Sequence, residues 1–455
     1  MKLSFTRLLH RNLEQYPTTK RRLWYLTLAV LATIVLTYDV YVPTSVLPLV
    51  LHAFHLSLAA YNLYLVVYLL LSALTALAAS VADRLGRANL TVFGLLACSL
   101  IILGIALSPT LVVFLVLGVL LGCVEGIIFV VTTALVRDFS PRLGRASAMS
   151  FWLLGSTGGT LLAESVASLT LPHFGTWQSQ YLLAGIVGLL AFLLCGVALR
   201  ELPASLRNQV ITSAREREII ETRAHLVELE APKPGAWRQM LRPSIIVSSV
   251  GISFFLLMYT TVVFFFSLYL TSVSGFTLSQ ADGLVSVFVL VYMGIALVIG
   301  VVSDRTIVRK PYMLLGTIGA VIVTLLLLVQ TLQSGGPISL LFMTILLSLL
   351  GVCMGTVYVS WMAGFTETVE SINPALVATG LAVWSFILRC ITIVAFLALP
   401  PIIGPLGRGW TTWWWICLAG MVAFIPAIFL MAGYWNPIRA GQEMRARLRA
   451  EGLDV

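Results

Sequence analysis

Twelve long apolar stretches run along this chain, separated by mostly short polar breaks. They fall at about residues 23–50, 56–82, 89–108, 111–135, 146–170, 179–200, 243–272, 279–302, 311–333, 337–364, 375–399 and 410–435. A helix needs roughly 20 apolar residues to cross a hydrocarbon layer of about 30 Å, and these stretches meet that length. They lack the period-two alternation of barrel strands. The pattern predicts an all-α polytopic membrane protein, whose helices satisfy their own backbone in lipid. One break is long. Residues 201–242 are rich in Arg and Glu, contain Pro232 and Pro234, and divide the spans into two sets of six. The expected organisation is a tail (1–22), a six-helix half (23–200), a linker (201–242), a second six-helix half (243–435) and a closing tail (436–455).

Composition supports a lipid solvent. Of 455 residues, 59% are hydrophobic and 10% charged, against about a quarter charged in a soluble protein. The net charge of +9 would suggest nucleic acid in a soluble chain, but its placement gives another reading. All but two of the 28 Lys and Arg residues, Arg389 and Arg408, fall in the tails and in the breaks on one side. The positive-inside rule then puts both termini in the cytoplasm, with the protein in the cell's inner (plasma) membrane. Trp410, Trp413, Trp414 and Trp415 crowd the opposite end of span 12, as an interfacial aromatic belt does. Residues 1–22 are basic throughout and lack the order of a cleavable signal peptide. No nucleic-acid partner is expected.

Catalytic chemistry has little to stand on. The six cysteines lie in apolar runs without a CxxC pair, and read as packing residues. No P-loop, metal-ligand cluster or nucleophile–His–acid set is present. The expectation is no enzyme, no ATP-driven pump, no metal and no cofactor.

The chain reads as a duplication. Residues 79–90 form a charged knuckle, Ala-Ser-Val-Ala-Asp-Arg-Leu-Gly-Arg-Ala-Asn-Leu, between spans 2 and 3. A version returns as Gly300 to Arg305, followed by Arg309-Lys310, between spans 8 and 9. Gly118, Gly122 and Gly126 in span 4 have the spacing that lets helices approach closely, and Gly351 and Gly355 match them in span 10. Pro141 after span 4 matches Pro374 after span 10. Two parallel six-span repeats suit a secondary transporter.

The knuckle resembles the loop 2–3 signature of the major facilitator superfamily, G-x-L-A-D-R-x-G-R-K-x-x-L. Asp83, Arg84, Gly86 and Arg87 match it, while Ala79 and Ala88 replace its usual first Gly and its Lys. The resemblance implies that superfamily's fold, two pseudo-symmetric six-helix halves, with transport by alternating access and spans 1, 4, 7 and 10 lining a cavity. It also implies gating roles for Asp83, Arg84 and Arg87 with Asp138, and for Asp304, Arg305 and Arg309 with Glu367 and Glu370. The drug–proton antiporter signature of span 5, G-x-x-x-G-P-x-x-G-G, is not reproduced. Span 5 reads Gly155-Ser156-Thr157-Gly158-Gly159-Thr160 without proline, and Gly118 stands where span 4 often has Arg. Both departures weigh against a multidrug exporter.

Ionisable residues inside the membrane are functional candidates because a charge there costs at least ~2.5–3.5 kcal/mol. Asp39, Glu125, Glu164 and Arg389 qualify, and no His lies in a span. Asp39 and Glu125, on spans 1 and 4, are the candidates for proton coupling. Pro43 and Pro48 are placed to bend span 1 beside Asp39. Glu164, towards the outer end of span 5, reads as structural. Arg389 lies about midway along span 11 and stays charged, so it needs an anionic partner. That partner is either an internal carboxylate or a substrate anion. Tyr259, Tyr358 and Trp384 are candidate substrate contacts, each an apolar body with one polar handle. The function read from the sequence is proton symport of a small organic anion or carboxylate by a monomeric transporter. The alternative is proton-driven export of amphipathic compounds.

Overall fold

Every apolar stretch becomes helix in the computed structural model, which describes residues 12, 13, 15, 17–76, 86–139, 145–202, 236–306, 308–332, 338–373, 376–404, 409–431 and 433–436. Asp83, Arg84 and Arg408 lie outside these residues, and of Asp304 only the backbone is described. The chain divides into two compact units, Met1–Glu221 and Thr222–Val455.

The first unit contains α1 (Thr19–Ser45), α2 (Leu47–Ala53), α3 (Leu58–Ala76), α4 (Arg87–Ala106), α5 (Leu111–Phe139), α6 (Arg145–Phe174) and α7 (Trp177–Ala198). The second contains α8 (Pro243–Phe255), α9 (Leu257–Ser272), α10 (Leu278–Thr306), α11 (Lys310–Leu332), α12 (Leu340–Glu370), α13 (Val377–Ile403) and α14 (Trp410–Leu430). The first span of each unit is broken, at Val46 between α1 and α2 and at Leu256 between α8 and α9. The break at Val46 follows from Pro48, which has no N–H to return to the Thr44 carbonyl and sits instead in the first turn of α2.

Among the described residues, eleven stretches are long and apolar enough to cross a membrane. The twelfth long helix, α6, has 30 residues, about 45 Å at 1.5 Å per residue. It is less apolar because it carries the run Gly155 to Thr160 and Glu164. Two helices outrun their apolar stretches. The last turns of α5 and α12 are polar, so Asp138 and Glu367 stand on helix ends and not in the loops the hydropathy pattern gave them.

Helix pairing repeats between the units. In the first, α3 packs on α5, α4 on α5 and α7, and α1 on α6. In the second, α10 packs on α12, α11 on α12 and α14, and α8 on α13. The glycine rows make close approaches in both units. A Cβ on Gly118 would strike the Tyr64 hydroxyl, one on Gly122 the Tyr68 ring, and one on Gly126 the Ser72 carbonyl, all on α3. On α12, Cβ atoms at Gly351 and Gly355 would meet the backbone of Phe288 and Tyr292 on α10. Small residues in such rows let helix backbones meet in lipid, where packing and not hydrophobicity holds them together.

Candidate functional site

The first unit gathers the intramembrane acids. Asp39 on α1 is 1% exposed, and neither carboxylate oxygen has a hydrogen-bond partner among the described residues. Its helix is pressed against α6 at Gly159, where a Cβ would lie 2.5 Å from the Ile34 carbonyl and 2.7 Å from the Tyr38 nitrogen. Glu125 on α5 is buried and accepts a hydrogen bond from the Tyr68 phenol of α3, while its other oxygen has no partner among the described residues. Gly122, against which the Tyr68 ring lies, is one turn before Glu125. The glycine row therefore sets the phenol that holds the acid. The helices that carry Asp39 and Glu125, α1 and α5, pack against each other. This arrangement brings the two sequence-derived proton candidates into one buried, hydrogen-bond-poor cluster with Tyr38, Tyr64 and Tyr68.

Glu164 has a different setting. It is 1% exposed and accepts a bond from Thr44 Oγ1 at 3.1 Å, tying the end of α1 to α6. That is a helix-to-helix hydrogen bond of the structural kind.

In the second unit, Tyr259, Tyr358 and Trp384 are partly exposed and lie along one chain of rings. Tyr259 is 5.0 Å from Tyr292, Tyr292 is 6.2 Å from Tyr358, and Tyr358 is 6.4 Å from Trp384. Arg389 does not join them. It is five residues after Trp384 on α13, about 140° around the helix, on the stripe that leads to Phe396 and its contact with Phe264 of α9. Arg389 is exposed and makes no hydrogen bond or ion pair to another described residue of its unit.

Polar contacts collect at the ends of the helices. Arg87, the first residue of α4, pairs with Asp138 of α5 at 2.7 Å. Arg309, just before α11, binds Glu367 of α12 through Nε at 3.1 Å and through a terminal nitrogen at 3.0 Å, and also bonds the Ser303 hydroxyl. The two ion pairs occupy equivalent places in the two units. Arg305 is exposed, and Arg309 takes the acid that the sequence offered to both.

Three residues escaped the sequence reading. Glu201, counted with the linker, is buried and accepts from the backbone N–H groups of Arg87 at 3.1 Å and Ala88 at 2.7 Å, capping α4. Its own carbonyl accepts from Leu13 N–H at 2.9 Å. Asp282, the fifth residue of α10, is fully buried and accepts from Ser267 at 2.7 Å; an acid inside an apolar run, it carried the same signal as Asp39 and Glu125. Ser248 accepts from the Trp361 indole at 2.9 Å, and a lone serine in an apolar span carries no signal of that.

Comparison with known proteins bears on the family and the fold. A model described as Major Facilitator Superfamily matches residues 29–396. The chain is 33% identical over 124 residues to the multidrug resistance protein MdtL of Shewanella oneidensis, covering 27% of this chain and 31% of that protein. It is 32% identical over 180 residues to the multidrug efflux pump LfrA of Mycolicibacterium smegmatis, covering 38% and 35%. The matched segment thus spans about a third of each relative's length. Among solved structures, a bacterial homologue of the human lysosomal transporter Spinster, inward-facing and unoccupied, superposes with a TM-score of 0.63 at 16% identity, over 94% of this chain and 98% of that one. A D-xylose–proton symporter gives 0.65 at 14% identity, over 90% and 98%. At such identities the likeness is one of fold.

Proposed function

The chain belongs to the major facilitator superfamily, and from that premise we propose that it exports amphipathic organic compounds in exchange for protons. That it is a multi-pass membrane transporter of small molecules, and not an enzyme, follows from the family and the fold. The finer reading rests on one observation: Asp39 is buried, with neither oxygen hydrogen-bonded among the described residues, on a helix that packs against the helix of Glu125. A buried carboxylate without partners is costly to hold as an anion. Such a group suits a proton taken up in one state of the cycle and released in another, and Glu125 with Tyr68 provides a second acceptor close by.

The direction of transport is drawn from two supports. The relatives that share segments with this chain are named as a multidrug resistance protein and an efflux pump. Three of the candidate contacts in the second unit, Tyr259, Tyr358 and Trp384, are aromatic and uncharged, and Arg389 stands apart from them, which favours amphipathic molecules over small carboxylates. These outweigh the missing span 5 proline motif. Both termini face the cytoplasm in this reading, and the pairs Arg87–Asp138 and Arg309–Glu367 bias the cytoplasmic end between two states. The protein works as a monomer in the inner membrane.

A second reading, proton symport of an organic anion, keeps one support: Arg389 is exposed and has no acid partner within its unit among the described residues. Proteoliposomes separate the two. Antiport predicts that an acid-inside gradient drives uptake of an amphipathic amine or dye into the vesicles, and that adding the compound releases internal protons. Asp39→Asn should abolish both signals. Compound movement in the same direction as the protons, or unchanged proton release in Asp39→Asn, overturns the proposal.

A further inference from the structure

We propose that the second unit recognises an uncharged flat ring on an aromatic platform whose directed polar group is the Trp384 indole N–H. This deepens the exporter reading and rests on it. The platform has two layers. Tyr259, Tyr358 and Trp384 are partly exposed, whereas Phe288, Tyr292 and Trp361 behind them are buried. Trp361 lies 4.9 Å from Trp384 and stacks on Phe365 at 4.8 Å and 25°. Its indole N–H is fixed on the Ser248 hydroxyl of α8 at 2.9 Å. The back layer is therefore held in place, and it sets the planes of the front rings.

The Trp384 indole is treated differently. Its nitrogen is shielded from solvent, yet has no acceptor among the described residues. Trp361 and Trp413 both find hydroxyls, Ser248 and Thr261; the Trp414 nitrogen also lacks an acceptor among the described residues, but its side chain is fully buried, whereas that of Trp384 is partly exposed. An indole donor left without a partner in an apolar setting is unfavourable, and a ligand oxygen or ring nitrogen that reaches it by displacing a neighbouring front-layer ring would relieve it. Ring faces beside it offer stacking. No acid or base belongs to the six platform residues, and Arg389 points about 140° away around α13. The matching ligand is a flat, neutral, aromatic molecule carrying one hydrogen-bond acceptor. Ser248 acts as a positioning residue through Trp361.

The test uses purified full-length protein in nanodiscs, with acridone as a flat, fluorescent, neutral probe bearing a carbonyl, and dicyclohexyl ketone as a competitor with the same acceptor and no flat ring. Trp384→Phe keeps a ring and removes the donor, so acridone should bind about tenfold more weakly, the scale of one hydrogen bond. Trp384→Leu should weaken it further, and Ser248→Ala should weaken it severalfold without changing the unfolding temperature by more than a few degrees. The ketone should compete at least about tenfold less well than unlabelled acridone, for want of stacking. Equal acridone affinity in wild type, Trp384→Phe and Trp384→Leu overturns the platform, as does equal competition by the ketone. Export that persists while binding ignores Trp384 sinks the platform alone. Binding that follows Trp384 without any proton-driven export sinks the exporter reading alone.

Discussion

The carboxylate of Glu201 lies where a side chain on residue 86 would have to be: a Cβ built on Gly86 falls 2.8 Å from its Oε2 and 2.9 Å from its Cδ. Gly86 also has φ +92°, a backbone region that favours glycine. One residue thus serves two needs, turning the chain into α4 and leaving room for the acid that caps it. The cap meets the positive end of the α4 dipole as well as its free N–H groups.

Gly86→Ala should therefore destabilise the first unit by more than conformational strain of ~1–3 kcal/mol alone. Glu201→Ala removes the collision but also the cap, itself worth about 1 kcal/mol. The double variant should be less damaged than the two single changes added together, because the steric term disappears once Glu201 is gone. Thermal unfolding of the four proteins in one detergent measures this. Strict additivity would show that the close approach has no energetic consequence.

The two ion pairs should respond unequally. The difference lies in the acids: the Asp138 side chain is 5% exposed and Glu367 42%, while Arg87 and Arg309 are 20% and 11% exposed. Removing the acid of a pair shielded from solvent costs about 3 kcal/mol or more, whereas an acid reached by water contributes about 0–1 kcal/mol. Asp138→Asn should lower the unfolding temperature and the transport rate clearly, and Glu367→Gln only slightly. Raising salt should mimic Glu367→Gln more closely than Asp138→Asn. Equal effects of the two substitutions would contradict the difference in burial.

The glycines of α5 make a graded series. At Gly118 the obstacle is the Tyr64 hydroxyl, the far end of a side chain that can rotate. At Gly126 it is the Ser72 carbonyl, fixed in the backbone of α3. Gly118→Ala should be tolerated, whereas Gly126→Ala should force α3 and α5 apart at about 1–3 kcal/mol. Thermal unfolding and proton-coupled transport are the readouts, and a reversed order would mean that α3 yields as a body.

Hydropathy and charge made the twelve helices, the repeat and the glycine rows legible, because each leaves a one-dimensional trace: length, side bias or spacing. Asp39 and Glu125 were legible for the same reason, since an acid in an apolar run is conspicuous. Contacts between distant residues left no such trace. Glu201 meets Arg87 and Ala88 across 113 or more positions, and Ser248 meets Trp361 across 113. The helix ends were misplaced where polarity began before the backbone stopped being helical, as in the last turns carrying Asp138 and Glu367. Arg389 and Trp384 were both named as candidates for the substrate, on separate grounds: a charge that needs a partner, and a ring with a polar handle. Helical rotation separates them, and a linear reading had no reason to weigh that rotation.

Arg389 has a native reporter beside it. Cys390 is exposed, whereas Cys98, Cys195 and Cys417 are buried and Cys123 and Cys353 only partly accessible. A guanidinium midway along a span is tolerated where it meets protein polar groups or water, and within its own unit Arg389 has no such group among the described residues. Water should therefore reach this face of α13. A charged, membrane-impermeant methanethiosulfonate should modify Cys390 in intact vesicles, and Cys390→Ser should remove most of the labelling. If so, Arg389 is open to solutes, and Arg389→Ala tests its use. Unchanged antiport of neutral and cationic compounds in Arg389→Ala agrees with the exporter reading; loss of all transport, together with loss of a thermal shift given by organic anions, favours the symport reading instead. If only an apolar maleimide modifies Cys390, the face lies in lipid, and Arg389 takes no part in binding a solute.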